Sequence, residues 1–188
     1  GDFSGQMRSN FSRLGESTVS DRGMIFPFKV LKSNGPWNYF VQYTGEWGRS
    51  RCVSETPDVS LGLSGAAAIA KDPNDSVSFD FRGDTRWAFN RLRIIGEPSS
   101  PEAYPIIITD SDTLCSVARD EAHESYIFDL GEEKAVFQLA FRGLDSAQFV
   151  LRGIMPTNDR EGIVYTESGV NGASVPSWLR CSKFQQDL

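Results

Sequence analysis

Residues 76–81 read SVSFDF, so Val77, Phe79 and Phe81 fall on one side of an extended chain, with Ser78, Asp80 and Arg82 on the other. Sixty positions later VFQLAF (136–141) aligns Phe137, Leu139 and Phe141 in the same way. Both runs end in Phe-Arg-Gly and are followed by a second apolar stretch, which predicts two β-hairpins. Register selects the loop. A two-residue turn at Gly83-Asp84 scatters the aromatic side chains over both faces. A three-residue loop, Gly83-Asp84-Thr85, sets Phe81 against Trp87 and Phe79 against Phe89 and gathers them on one face. In the second copy a loop over Gly143 to Ala147 sets Phe141 against Phe149 and Leu139 against Leu151. The glycine after each arginine supplies the backbone freedom to leave the strand.

The remaining pattern is also mostly of period two. MIFPFKVL (24–31) is apolar but carries Pro27, which cannot donate to a ladder, so an edge or bulged strand is expected. In WNYFVQY (37–43) the residues Trp37, Tyr39, Val41 and Tyr43 alternate strictly. PIIIT (105–109) reads as a short buried strand. SYIFDL (125–130) alternates Tyr126, Phe128 and Leu130 and leads through GEEK into a three-strand meander that ends near 155. GIVYTE (162–167) predicts one more strand. Residues 110–122 offer Ser111 or Asp112 as an N-cap, with Leu114, Val117 and Ala118 at helical spacing, and predict a short helix. VPSWLRCSKFQQDL suggests another, turning Trp178, Leu179 and Cys181 or Phe184 inward. Residues 60–70 have small side chains and no clear periodicity, and admit either a short helix or a strand.

The sum is an all-β, mainly antiparallel fold: a β-sandwich or jelly roll with one or two short helices, the alternative being a partly open β-barrel. Residues 1–23 are polar and Gly/Ser-rich and read as an extended N-terminal arm, leaving 24–188 as a single β domain. The first residue is Gly1 and not Met, which suggests a trimmed chain or a mature product without its leader.

Charge and cysteine usage narrow the function classes. A net charge of -6 and a pI near 4.9 disfavour nucleic acid, and no apolar run is long enough to enter a membrane as a helix. Cys52, Cys115 and Cys181 lie too far apart for CxxC chemistry. They permit a Cys52–Cys181 disulfide with one thiol left over, or three unlinked buried thiols. The single histidine, His123, cannot build a histidine-rich metal centre, and Asp110, Asp112 and Asp120 lack the spacing of a calcium loop, so no metal site is expected. No phosphate-binding glycine loop, dinucleotide fingerprint or nucleophile elbow occurs, and no cofactor is expected.

What remains is binding. Trp47 lies in TGEWGRSRC among glycines, acids and arginines, and with Arg49, Arg82, Asp84 and Trp87 it forms the candidate ligand-binding set. Arg82-Gly83-Asp84 matches a tripeptide used by adhesion ligands, but Arg142-Gly143-Leu144 in the second copy favours turn geometry as its meaning. The leading expectation is a non-catalytic, soluble, extracytoplasmic domain, secreted or periplasmic, that binds a glycan, a polypeptide or a small ligand through loops. The alternatives are a carboxylate-based saccharide hydrolase or lyase, and an assembly or coat subunit that reaches a neighbour with its arm.

Overall fold

The computed structural model describes residues 3–13, 21–35, 38–82, 85–110, 112–115 and 118–188. It is a sandwich of two antiparallel sheets. One sheet has five strands, ordered β1 (Phe40–Thr44), β4 (Ser76–Asp80), β10 (Val136–Arg142), β6 (Tyr104–Ile108) and β7 (Thr113–Cys115). The other has six, ordered β2 (Gly48–Arg51), β3 (Ala66–Ala70), β11 (Phe149–Thr157), β5 (Phe89–Pro98), β9 (Ser125–Lys134) and β8 (Ala118–Asp120). The helices are α1 (Phe3–Ser12) and α2 (Val175–Trp178).

The two predicted hairpins are corners instead. β4 and β5 lie in different sheets, as do β10 and β11, so each Phe-Arg-Gly segment carries the chain from one sheet to the other. The copies pair with each other. β10 runs antiparallel to β4, with Phe137 opposite Phe79 and Leu139 opposite Val77, while β11 runs antiparallel to β5 in the facing sheet. Two strand–corner–strand units thus lie side by side, head to tail, at the middle of the sandwich, with their corners at opposite ends.

The alternating residues do meet in one core, but across the sandwich. Phe81 meets Phe89 edge-on at 5.7 Å, Phe89 meets Phe137 at 5.5 Å, and Phe141 meets Phe149 at 5.0 Å. Phe79 stacks on Phe137 at 4.9 Å within the five-stranded sheet. Trp87 joins this core from a 3-10 turn over Thr85–Trp87. Aromatic pairs of this kind add about 0.5–1.5 kcal/mol each to their burial. Period two reports which side of a strand is dry, and both a hairpin and a sheet-to-sheet corner satisfy it.

Other expectations shift for identifiable reasons. The meander is absent because β9, β10 and β11 alternate between sheets. In residues 24–31 only Ile25 bridges the sheet, at Ile154, and a turn then begins at Pro27, whose carbonyl accepts from Val30 at 2.9 Å. Phe26, Val30 and Leu31 are buried there as a plug. The expected helix over 110–122 is two short edge strands, β7 and β8; Asp112 closes the β6–β7 turn, its carbonyl accepting from the Thr109 amide at 2.9 Å. Ser111 and Val117 lie outside the described residues, as does Trp37. Residues 162–167 form one bridge rather than a strand: the Thr166 hydroxyl accepts from the Met24 amide at 3.2 Å, and the Tyr165 carbonyl accepts from Arg8.

Within the expected arm, α1 is helical and sets the buried Arg8 over the Tyr165 ring at 5.0 Å. The alanine-rich stretch that admitted either a helix or a strand is β3, a strand buried on both faces. Ala66, Ala68 and Ala70 meet the main core, while Ala67 and Ile69 meet a second apolar cluster on the outer side of the six-stranded sheet. Packing from both sides overrides alanine's preference for helix.

Candidate functional site: a polar cleft under the C-terminal tail

The outer side of the six-stranded sheet is roofed by the chain after α2. On that side lie Val150 and Glu97, directly opposite each other on β11 and β5. Leu61, Cys52 and Cys181 join Val150 in the second apolar cluster. The tail is pinned by backbone and charge together: the Lys183 amide donates to the Leu61 carbonyl at 2.9 Å, and the Leu63 amide donates to Asp187 Oδ2 at 3.3 Å. Gly62 permits this approach, since a Cβ there would fall 1.5 Å from Asp187 Oδ2.

A wholly buried arginine anchors the roof. Arg152 sits beside an irregularity in β11 between Leu151 and Gly153. Its Nε and Nη2 donate to Asp187 at 3.0–3.2 Å, and its Nη1 lies 2.9 Å from Glu124 Oε2 and 3.8 Å from Glu97 Oε1. The Nη1–Glu124 contact is an ion pair without hydrogen-bond alignment. Lys183 Nζ donates to Glu124 Oε1 at 2.6 Å. Burial pushes the Glu124 carboxyl up, but the Lys183 hydrogen bond and the Arg152 charge outweigh it and hold its pKa below the usual range. Buried charge of this kind persists only when paired, and removing Asp187 would leave Arg152 Nε and Nη2 without their acceptor.

Beside this anchor the surface opens into a cleft of about 480 Å³. Its floor is Val150 and Glu97, one wall is 57–60 from the β2–β3 connection, and the other is the tail through Arg180 and Ser182. Gln148 and Ser99 close one end, locked together by the Ser99 amide donating to the Gln148 carbonyl and the Gln148 amide donating to Ser99 Oγ, both at 2.9 Å. Arg180 Nη1 donates to the Cys52 carbonyl at 2.9 Å. Among the described residues, the side chains of Asp58, Ser60, Gln148 and Ser182 have no hydrogen-bond or ion-pair partner within the chain. The cleft thus combines carboxylate, amide, hydroxyl and guanidinium groups above a small apolar floor.

The set singled out from sequence is not gathered in one place. Trp47 donates its indole N–H to the Thr44 carbonyl at 2.9 Å and sets its ring edge-on to Phe141 at 5.7 Å. It closes the end of the sandwich beyond β1. Arg49 is exposed on the edge strand β2. Arg82, also exposed, lies over Phe40 at 5.4 Å, at the opposite end of β1 from Trp47. Trp87 is buried in the core, and Asp84 lies outside the described residues. His123 pairs with Asp120, Nδ1 to Oδ2 at 2.7 Å, and this hydrogen bond lowers the Asp120 pKa. The residues that build the cleft come from four separate segments, and no local motif marks them.

No protein-family model matches the sequence, and no curated protein was found to be similar to it. Among solved structures, a chain described as "CpGH89CBM32-6 produced by Clostridium perfringens" is similar at 15% identity, over 65% of this chain and 96% of that one, with a TM-score of 0.40. No residue role transfers at that level of similarity. None of the described helices is long and apolar enough to cross a membrane.

Proposed function

We propose that this is a non-catalytic binding domain whose ligand is a saccharide, held in the cleft between residues 57–60 and the C-terminal tail. The observation that carries the reading is the convergence of uncommitted polar side chains, Asp58, Ser60, Gln148 and Ser182, around a floor fixed by paired β-strands. Planar amide, carboxylate and guanidinium groups can each engage two neighbouring hydroxyls, and the Val150 floor suits the C–H face of a sugar ring. Binding is favoured over hydrolysis because Asp58 is exposed in an open cleft. A carboxyl acting as proton donor near neutral pH needs dry, apolar surroundings. The acidic surface favours a neutral ligand over nucleic acid. An extracytoplasmic setting belongs to the same proposal, supported by the juxtaposition of Cys52 with Cys181.

Calorimetric titration of the full chain with a panel of neutral oligosaccharides tests this. At least one should bind with a Kd on the order of 0.1–1 mM, as expected of a few hydrogen bonds in an open site. Gln148→Ala and Ser182→Ala should each weaken it about 5- to 10-fold, the worth of one lost hydrogen bond, with an unchanged melting temperature. A panel with no binder, or a binder indifferent to both substitutions, would remove the proposal.

A further inference from the structure

We propose that Cys52 and Cys181 are joined by a disulfide that fixes the tail wall of the cleft and so controls its affinity, the second half of which rests on the saccharide reading above. Both side chains are free thiols buried together in the second apolar cluster, near enough for each to bear on the other's ionisation. Each is held by backbone on its own side: the Cys52 amide donates to the Gly65 carbonyl at 2.9 Å, and the Cys181 amide donates to the Trp178 carbonyl at 3.0 Å. Cys115 is exposed on β7 and is the thiol left over.

Position gives the pair its consequence. Arg180 and Ser182, the residues on either side of Cys181, are the tail's contribution to the cleft, and Arg180 also hydrogen-bonds the Cys52 carbonyl. A covalent link at Cys181 therefore fixes both groups relative to the floor. Without it the wall depends on short hydrogen bonds and the charge cluster around Arg152. The linked residues are about 130 positions apart, so the bond would remove a large loop from the unfolded ensemble.

The chemistry balances with a small-molecule disulfide such as glutathione disulfide as oxidant. One thiolate attacks it, releasing one glutathione and leaving a mixed disulfide. The second cysteine then attacks the protein-bound sulfur, releasing the second glutathione; two protein thiols are oxidised and one disulfide is reduced. Burial, followed by the neighbouring Cys52, pushes the Cys181 thiol up to about 12, so thiolate is scarce in the folded chain. Oxidation is accordingly expected while the tail docks during folding and to be slow afterwards.

The test uses the full chain carrying Cys115→Ser, refolded in a glutathione redox buffer. Peptide mapping should show the Cys52–Cys181 bond, thiol titration should find no free thiol, and reduction should lower the melting temperature by about 5–15 °C. Two free thiols after oxidative refolding would overturn the bond, whatever the ligand data say. Where the bond forms, reduction should weaken the saccharide by about 3- to 10-fold, and Cys52→Ser should make affinity indifferent to reductant. Equal affinity in both redox forms would overturn the control of the cleft while leaving the saccharide reading standing. A mapped bond in a protein that binds no saccharide would confirm the disulfide and defeat the saccharide reading alone.

Discussion

The two Phe-Arg-Gly corners perform the same task at opposite ends of the sandwich with different backbones. In the first, Arg82 itself takes the left-handed conformation, at φ 56°. In the second it is Gly143, one residue further on, at φ 71°. The second corner is close-packed, since a Cβ on Gly143 would fall 2.0 Å from the Glu102 carbonyl oxygen. A shared triplet therefore does not mean a shared turn. What the copies share is the placement of phenylalanines on the two strands that each corner joins.

Substitutions can set the corners against each other. The largest effect is expected at the rings: Phe141→Ala and Phe81→Ala should each lose about 3–5 kcal/mol by urea unfolding, because both side chains are buried in the common core. A loss under 1 kcal/mol at either site would show that the corners do not bear equally on the core. Next comes Gly143→Ala, expected to cost about 2–3 kcal/mol from strain and the close carbonyl. A neutral result there would mean that the second corner can relax.

The third comparison uses pH. Tyr39 packs against Phe81 near the first corner, donating its hydroxyl proton to the Phe26 carbonyl at 2.9 Å and accepting from the Phe26 amide. Burial raises its pKa from 10.0 to about 12, so the folded state favours the neutral phenol. Its stabilising contribution is intact below pH 10 and is lost between pH 10 and about 12, as the unfolded chain ionises first. Tyr39→Phe should cost about 2 kcal/mol at neutral pH and flatten that alkaline decline; an unchanged decline would assign it to another group. The smallest effect is Arg82→Gly, which relieves a positive φ but adds freedom to the unfolded chain. A gain of about 0.5 kcal/mol is expected by thermal unfolding, and a clear loss would mean that its contact with Phe40 outweighs the strain.

Much of the sandwich was legible because alternation is imposed by burial. Val77, Phe79, Phe137 and Leu139 declare their dry side in the sequence, and that side is buried in the structure. Pairing was not legible, because side-chain period carries no information about which strand lies beside which. Phe79 was expected opposite Phe89 and lies opposite Phe137, a partner nearly sixty residues away. The tail was read in part: Cys181 is buried, but Leu179 is 83% exposed. The cleft left no local trace. Glu97, Gln148 and Arg180 are ordinary polar residues whose convergence exists only after β5, β11 and the tail are assembled, whereas Trp47 drew attention through its polar neighbours and proves to be packed against Phe141.

Both sheets end in brief border strands: β1 and β7 on one, β2 and β8 on the other, none longer than five residues. A foreign β-segment seeking to extend either sheet would find only a few backbone amides and carbonyls to bind before the template ran out. Brevity at the margins thus guards a phenylalanine-rich chain against growing into fibrils, and a change that lengthened β7 or β8 would weaken that protection without touching the interior.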